Sequence, residues 1–187
     1  DRTIMPAVAW LHDSLRLALE REYPGENFEI PEVVRYHSWV GGDRDGNPNV
    51  TPEITWRTLL MHKRTALEHY ASRVRKLQRF YTEDMRLVGQ SEALRESIAR
   101  DLERSDMSQS SRDRYANEPY RMKLALVLEK LVRTQDDLDR ASTHGYTDSA
   151  DFVADLETML QSLRENGGQV HAQEGRLAML AVQARAF

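Results

Sequence analysis

The residues best placed to do chemistry lie together. Trp39 is followed, one residue on, by Gly41, Gly42, Asp43, Arg44, Asp45, Gly46, Asn47, Pro48, Asn49, Val50 and Thr51. Glycines let a backbone turn sharply or approach a ligand closely, two carboxylates flank one guanidinium, and Pro48 stiffens the exit. Such a loop places groups rather than filling a core. The spacing of Asp43, Asp45 and Asn47 suits the first, third and fifth positions of a calcium loop. The rest of that motif fails, because the sixth position is Pro48 instead of Gly and the twelfth is Ile54 instead of Glu, with Glu53 one place early. Successive glycine amides ahead of a helix N-terminus favour an anion such as phosphate, although neither nucleotide-binding glycine motif occurs. A third reading makes Asp43, Arg44 and Asp45 a local ion-pair network that holds a turn. Residue chemistry alone leaves the last two open.

The elements that must carry this loop follow from periodicity. Ile4, Val8, Leu11, Leu15 and Leu19 recur at helical spacing and predict a first helix ending near Tyr23-Pro24-Gly25. Val33 to Val40, rich in β-branched and aromatic residues and bounded by Pro31 and Gly41, is the best strand candidate. Thr51-Pro52-Glu53 supplies an N-cap, a proline at the first helical position and an acid where the helix dipole favours one. Leu60, Leu67, Val74 and Tyr81 then lie seven apart and predict a helix of about eight turns. A helix over 92–103, a polar loop over 105–117, a helix from Pro119 to about Leu138, one capped by Asp148 or Ser149 and ended by Asn166-Gly167-Gly168, and a last one from about Ala172 complete the chain. The expectation is about six helices and one strand, a mainly α fold. A single strand cannot satisfy its own backbone, so its partners are expected outside this sequence. Asp1 at the start, and an apolar stripe ending uncapped on Phe187, give the same expectation of a piece of a longer chain.

Composition narrows the function classes. With 187 residues, 40% hydrophobic and 30% charged, the chain can bury a core. A net charge of −4 provides no global footprint for nucleic acid or an anionic membrane. The absence of cysteine excludes disulfides, thiolate nucleophiles and Cys-ligated zinc. No run approaches the length of a membrane span and no signal pattern opens the chain, so a cytoplasmic protein is expected, with neither nucleic acid nor membrane as partner. His12, His37, His62, His69, His144 and His171 show no paired ligand spacing. Arg73, Arg75, Lys76 and Arg79 lack interleaved aromatics and face more than one side of a helix, which reads as a solvated surface.

Ser38-Trp39-Val40-Gly41-Gly42-Asp43-Arg44-Asp45-Gly46-Asn47-Pro48-Asn49-Val50-Thr51 resembles the S-W-[hydrophobic]-G-G-D-R-D-G-N-P-x-V-T signature of phosphoenolpyruvate carboxylases. Weaker echoes extend along the chain. Glu118-Pro119-Tyr120-Arg121 resembles the family's E-P-Y-R helix, Tyr146 through Leu163 a later helix, and Glu174-Gly175-Arg176-Leu177 to Phe187 the helix leading into its next core strand. The resemblance implies a segment of a helix-wrapped (β/α)8 barrel enzyme that carboxylates phosphoenolpyruvate with bicarbonate to oxaloacetate and phosphate. It implies Mg2+ or Mn2+ in the full-length enzyme and none bound by this segment, allosteric control and a homotetramer. The T-A-H-P-T histidine motif is absent here, and the metal-binding carboxylates are expected elsewhere, so the segment alone is expected to be inactive.

By the same resemblance, residues 1–30 form an N-terminal helix, 31–51 a barrel strand plus the loop at its C-terminal end, where barrel active sites lie, and 52–187 a helical crossover. Trp39 would line the apolar pocket around carbon dioxide and the substrate methylene, or else be a buried core aromatic. Arg44 would hold an anionic intermediate or merely bridge Asp43 and Asp45. Trp39 and Arg44 are thus the candidate catalytic residues, on an active-site loop of Gly41, Gly42, Asp43, Asp45, Gly46 and Asn47. Arg121 is left as a structural or effector-binding arginine. The competing expectation is a helical interaction or regulatory module whose glycine loop is purely structural.

Overall fold

The computed structural model describes residues 4–26, 28, 30–31, 33–81, 89–140, 144–166 and 171–186. Among them seven helices form: α1 (Ile4–Glu22), α2 (Pro52–Leu77), α3 (Glu92–Glu103), α4 (Gln109–Tyr115), α5 (Pro119–Asp136), α6 (Ser149–Asn166) and α7 (His171–Ala186). Their starts follow the cap chemistry. Thr51 and Ser91 accept side-chain bonds from the backbone N–H three residues on. Pro119 opens α5 without a side-chain cap bond. Asp148, not Ser149, receives the Ala150 N–H at 2.9 Å. The proposed α6 stop at Gly167-Gly168 lies outside the described residues, as does part of the break between α5 and α6.

Two expectations are corrected. The polar stretch 105–117 is not all loop, since it contains α4. Its apolar pattern is too short to announce a helix, and side chains hold it instead. Ser108 accepts from the Ser111 N–H at 3.3 Å, and Arg112 donates to the carbonyls of Met107, Ser105 and Leu102 at 3.0, 3.2 and 3.1 Å. The predicted strand over 33–40 is also not formed, and no strand occurs among the described residues. Residues 33–39 carry no regular secondary structure, because a ladder needs a second strand. Here the Tyr36 N–H is bound instead by the carbonyl of Ala186 at the end of α7, 3.1 Å away.

The core is one continuous cluster. It is built from the C-terminal half of α2 (Leu67, Tyr70, Ala71, Val74, Leu77) and from Leu94, Leu124, Val127, Leu131, Phe152, Leu156, Met159, Leu160, Leu177 and Leu180. α5 packs against α2, α3, α4 and α6, while α7 lies against α6, α1 and α2. α1 is docked through Met5 and Val8 and by the Gln183 amide, which donates to the Met5 carbonyl at 2.8 Å. The N-terminal half of α2 projects from this core, with Ile54, Trp56, Leu59 and Met61 exposed.

One cluster inside the bundle is ionic. Tyr120, Lys123, Val127, Lys130 and Thr134 follow each other at helical steps along α5, so both lysines share the apolar face. Lys123 has no exposed surface, and its three N–H donors are all used: on Ser97 Oγ (2.7 Å), Asp101 Oδ2 (2.6 Å) and Asp155 Oδ1 (2.6 Å). Lys130 spans both oxygens of Asp101 at 3.0 and 2.9 Å, reaches Asp155, and lies 4.9 Å from the Tyr146 ring centre. The Tyr146 hydroxyl donates to Asp155 at 2.6 Å. Burial works to raise the Asp155 pKa, but the charges and hydrogen bonds of Lys123 and Lys130 together outweigh it and hold the carboxyl below its ordinary 3.8.

Two outcomes follow from this cluster. Replacing Lys123 by Ala, which leaves two half-buried carboxylates with Lys130 as their remaining lysine partner, should lower the unfolding free energy by about 3 kcal/mol in urea titration, the low end for a broken buried pair. Because the folded-state pKa of Asp155 is depressed, its contribution is fully present above 3.8. It should be lost as pH falls through the lower native value, and Asp155→Asn should flatten that acid limb of the stability curve.

Candidate active-site loop

The loop is built almost entirely from its own short-range bonds. Trp39 ends the irregular segment that precedes the loop, and its carbonyl accepts from the N–H of Gly42 at 3.1 Å and of Asp43 at 3.3 Å. That reversal needs Gly41 at a left-handed φ of +68°. The Asp43 carboxylate then accepts the Asp45 N–H at 3.3 Å, and the Asn47 side-chain oxygen accepts the Asn49 N–H at 3.1 Å. These are two Asx turns in succession. Asn47 also accepts the Val50 N–H through its carbonyl at 3.2 Å, and Thr51 then caps α2. Glu53, in the first turn, has its pKa lowered by a hydrogen bond with the Thr51 side chain and by its own backbone N–H.

α2 grips this loop with a row of hydroxyls. Thr51, Thr55 and Thr58 stand at helical spacing on one face. The Thr55 hydroxyl donates to the Gly41 carbonyl at 2.6 Å, lies 3.2 Å from the Thr51 carbonyl, and accepts from an Arg44 guanidinium nitrogen at 3.0 Å. Thr58 packs directly under Gly41, where an added Cβ would come within 2.7 Å of the Thr58 Cβ and closer still to its hydroxyl. Sequence reasoning missed both threonines, although their spacing from the cap residue was visible. It had treated Thr51 as a cap and stopped there.

Several alternatives are decided by this geometry. Arg44 bonds Thr55 rather than forming an ion-pair network with Asp43 and Asp45. The amides of residues 42, 43, 45, 49 and 50 are used within the loop, which leaves fewer backbone donors for an anion than the glycine pattern suggests. Asp43 and Asn47 face their own backbone, and no group of three or more His, Asp or Glu side chains placed to hold a metal occurs among the described residues. Trp39 is 80% exposed and fills no core in this chain, and Val40 beside it is exposed as well. Arg121 lies apart, on the first turn of α5. It donates to Glu118 at 2.9 Å and stacks over Tyr115 at 5.1 Å, while its Nε is buried without a partner. His37 and His62 line a cavity of about 560 Å³ between residues 36–38, α2 and the start of α6, and no residue from 39 to 50 reaches it.

The two left-handed glycines of the loop should behave differently. Gly46 has φ +70° with open space around it, so Gly46→Ala should cost only the left-handed penalty of about 1–2 kcal/mol. Gly41→Ala adds a collision with Thr58. It should expose the 39–50 loop to limited proteolysis at least about tenfold faster than Gly46→Ala does.

A family model described as phosphoenolpyruvate carboxylase matches residues 1–187. The phosphoenolpyruvate carboxylase of Roseiflexus castenholzii is 36% identical over 191 aligned positions, covering 95% of this chain and 20% of the relative. That of Prochlorococcus marinus strain MIT 9215 is 31% identical, covering 89% of this chain and 19% of the relative. That of Trichormus variabilis is 33% identical, with 89% and 17% covered. The chain thus spans about a fifth of the length of the curated relatives it matches. No helix among the described residues is long and apolar enough to cross a membrane. With a family match along all of its residues and relatives above 30% identity, the chain belongs to the phosphoenolpyruvate carboxylase family.

Proposed function

We propose that this chain supplies one active-site loop, and the helical scaffold behind it, to an enzyme that carboxylates phosphoenolpyruvate with bicarbonate, giving oxaloacetate and phosphate. The observation that carries the reading is the family signature over 38–51, fixed by its own turns to the first turns of α2 with Trp39 displayed on the surface. An exposed indole in a rigid turn does little for this chain's stability but can wall off an apolar pocket. Excluding water there protects carbon dioxide and an enolate from side reactions. Arg44, outside any ion-pair network with its acidic neighbours, can present N–H donors to an anionic intermediate.

The remainder of the function comes from outside these residues. Val33 to Val40 would act as a barrel strand once neighbouring strands pair with it, 1–30 as an N-terminal helix, and 52–187 as the crossover. A divalent cation, Mg2+ or Mn2+, belongs to the full-length enzyme. Among the described residues no group of three or more His, Asp or Glu side chains is placed to hold it. A cytoplasmic homotetramer is part of the same proposal.

The test is made in the full-length protein. Arg44→Gln should lower kcat by about 10²-fold, the usual loss when one fixed donor to developing charge is removed. Trp39→Ala should admit water, so that enolate is protonated to pyruvate and the ratio of oxaloacetate to phosphate drops below one. If both variants turn over normally with unchanged product ratio, the loop is a structural turn and the chain is a helical interaction module.

A further inference from the structure

Thr55 is placed where three parts of the loop meet. A hydroxyl has one proton to give, and the shorter of its two contacts, 2.6 Å to the Gly41 carbonyl against 3.2 Å to Thr51, identifies where it goes. The lone pairs are then left for Arg44, whose guanidinium sits 3.0 Å away. One side chain thereby ties the backbone just beyond Trp39 and Val40 to a cation eleven residues earlier than itself. The anchor is stiff, because a β-branched threonine in a helix has few χ1 options. The cation is not stiff by itself. Arg44 is exposed on a loop, and an arginine free to sample its rotamers must lose that freedom each time it meets an anion.

We infer that Thr55 is a positioning residue for Arg44, its hydroxyl holding the guanidinium in one orientation toward a carboxylate- or phosphate-bearing intermediate. The inference rests on the reading of the loop proposed above. It assigns Thr55 no contact with substrate; because the hydroxyl also holds the Gly41 carbonyl, the share of its effect that passes through Arg44 is the share a double-mutant cycle isolates. Charge on an intermediate develops after the substrate has bound, and a pre-set donor lowers the barrier more than it tightens binding.

Steady-state kinetics of the full-length protein with phosphoenolpyruvate test this in a double-mutant cycle. Thr55→Val, which keeps the shape and removes the hydroxyl, should lower kcat roughly tenfold with little change in KM. Thr55→Ser should recover most of that loss. Combining Thr55→Val with Arg44→Gln should cost clearly less than the product of the two separate losses, the remainder coming from the lost Gly41 bond. Thr55→Ala read against Thr55→Ser gives the same comparison if the valine variant does not fold. The inference is overturned if Arg44→Gln is impaired while Thr55→Val is not, if the two losses multiply, or if serine does no better than valine. Normal turnover by Arg44→Gln would instead remove the reading of the loop itself.

Discussion

An ammonium group with no exposed surface leaves a fold little choice. Lys123 must find three acceptors inside the bundle, and it finds them on α3 and α6. Lys130 then shares the same two carboxylates from one level further along α5. Apolar contacts would let these helices slide by a fraction of a turn at modest cost, whereas a saturated two-lysine, two-aspartate cluster defines one register. Leaving any member unpaired in this interior costs more than the pairs contribute over a well-packed apolar substitute. The cluster therefore specifies the arrangement of α3, α5 and α6 more than it strengthens it. α2, and through it the loop, is packed against α5.

The loop depends on that arrangement indirectly. Its turns are local, each closing over two to four residues, so its internal shape is set by Gly41, Asp43 and Asn47 without help from the core. Its placement is a separate matter, set by Thr55 and Thr58 on a helix whose other half is buried in the bundle.

Much of this was readable beforehand, for identifiable reasons. Thr51, Ser91, Pro119 and the periodic leucines act through their nearest neighbours, and the sequence displays those neighbours directly. The signature over 38–51 was legible because turn chemistry is also local. Three things were not. α4 is held by Arg112 reaching loop carbonyls, a contact with no periodic trace. The segment 33–40 has strand-forming side chains, but side-chain preference does not supply a partner, and here the bond to the Tyr36 N–H comes from α7. Lys123 and Lys130 sat visibly in an apolar stripe, yet the carboxylates that justify them come from two other helices.

The division of α2 into a buried half and a bare half makes it a cantilever. From Ala71 in the core to Thr55 under the loop is sixteen residues, or about 24 Å of helix at 1.5 Å per residue. A tilt of only about two degrees at the clamped end would carry the free end by nearly ~1 Å, the scale of misplacement at which catalytic geometry is lost. Any looseness of the bundle is therefore magnified at the loop, and small repacking beneath Val74 or Leu77 would be felt far from where it occurs.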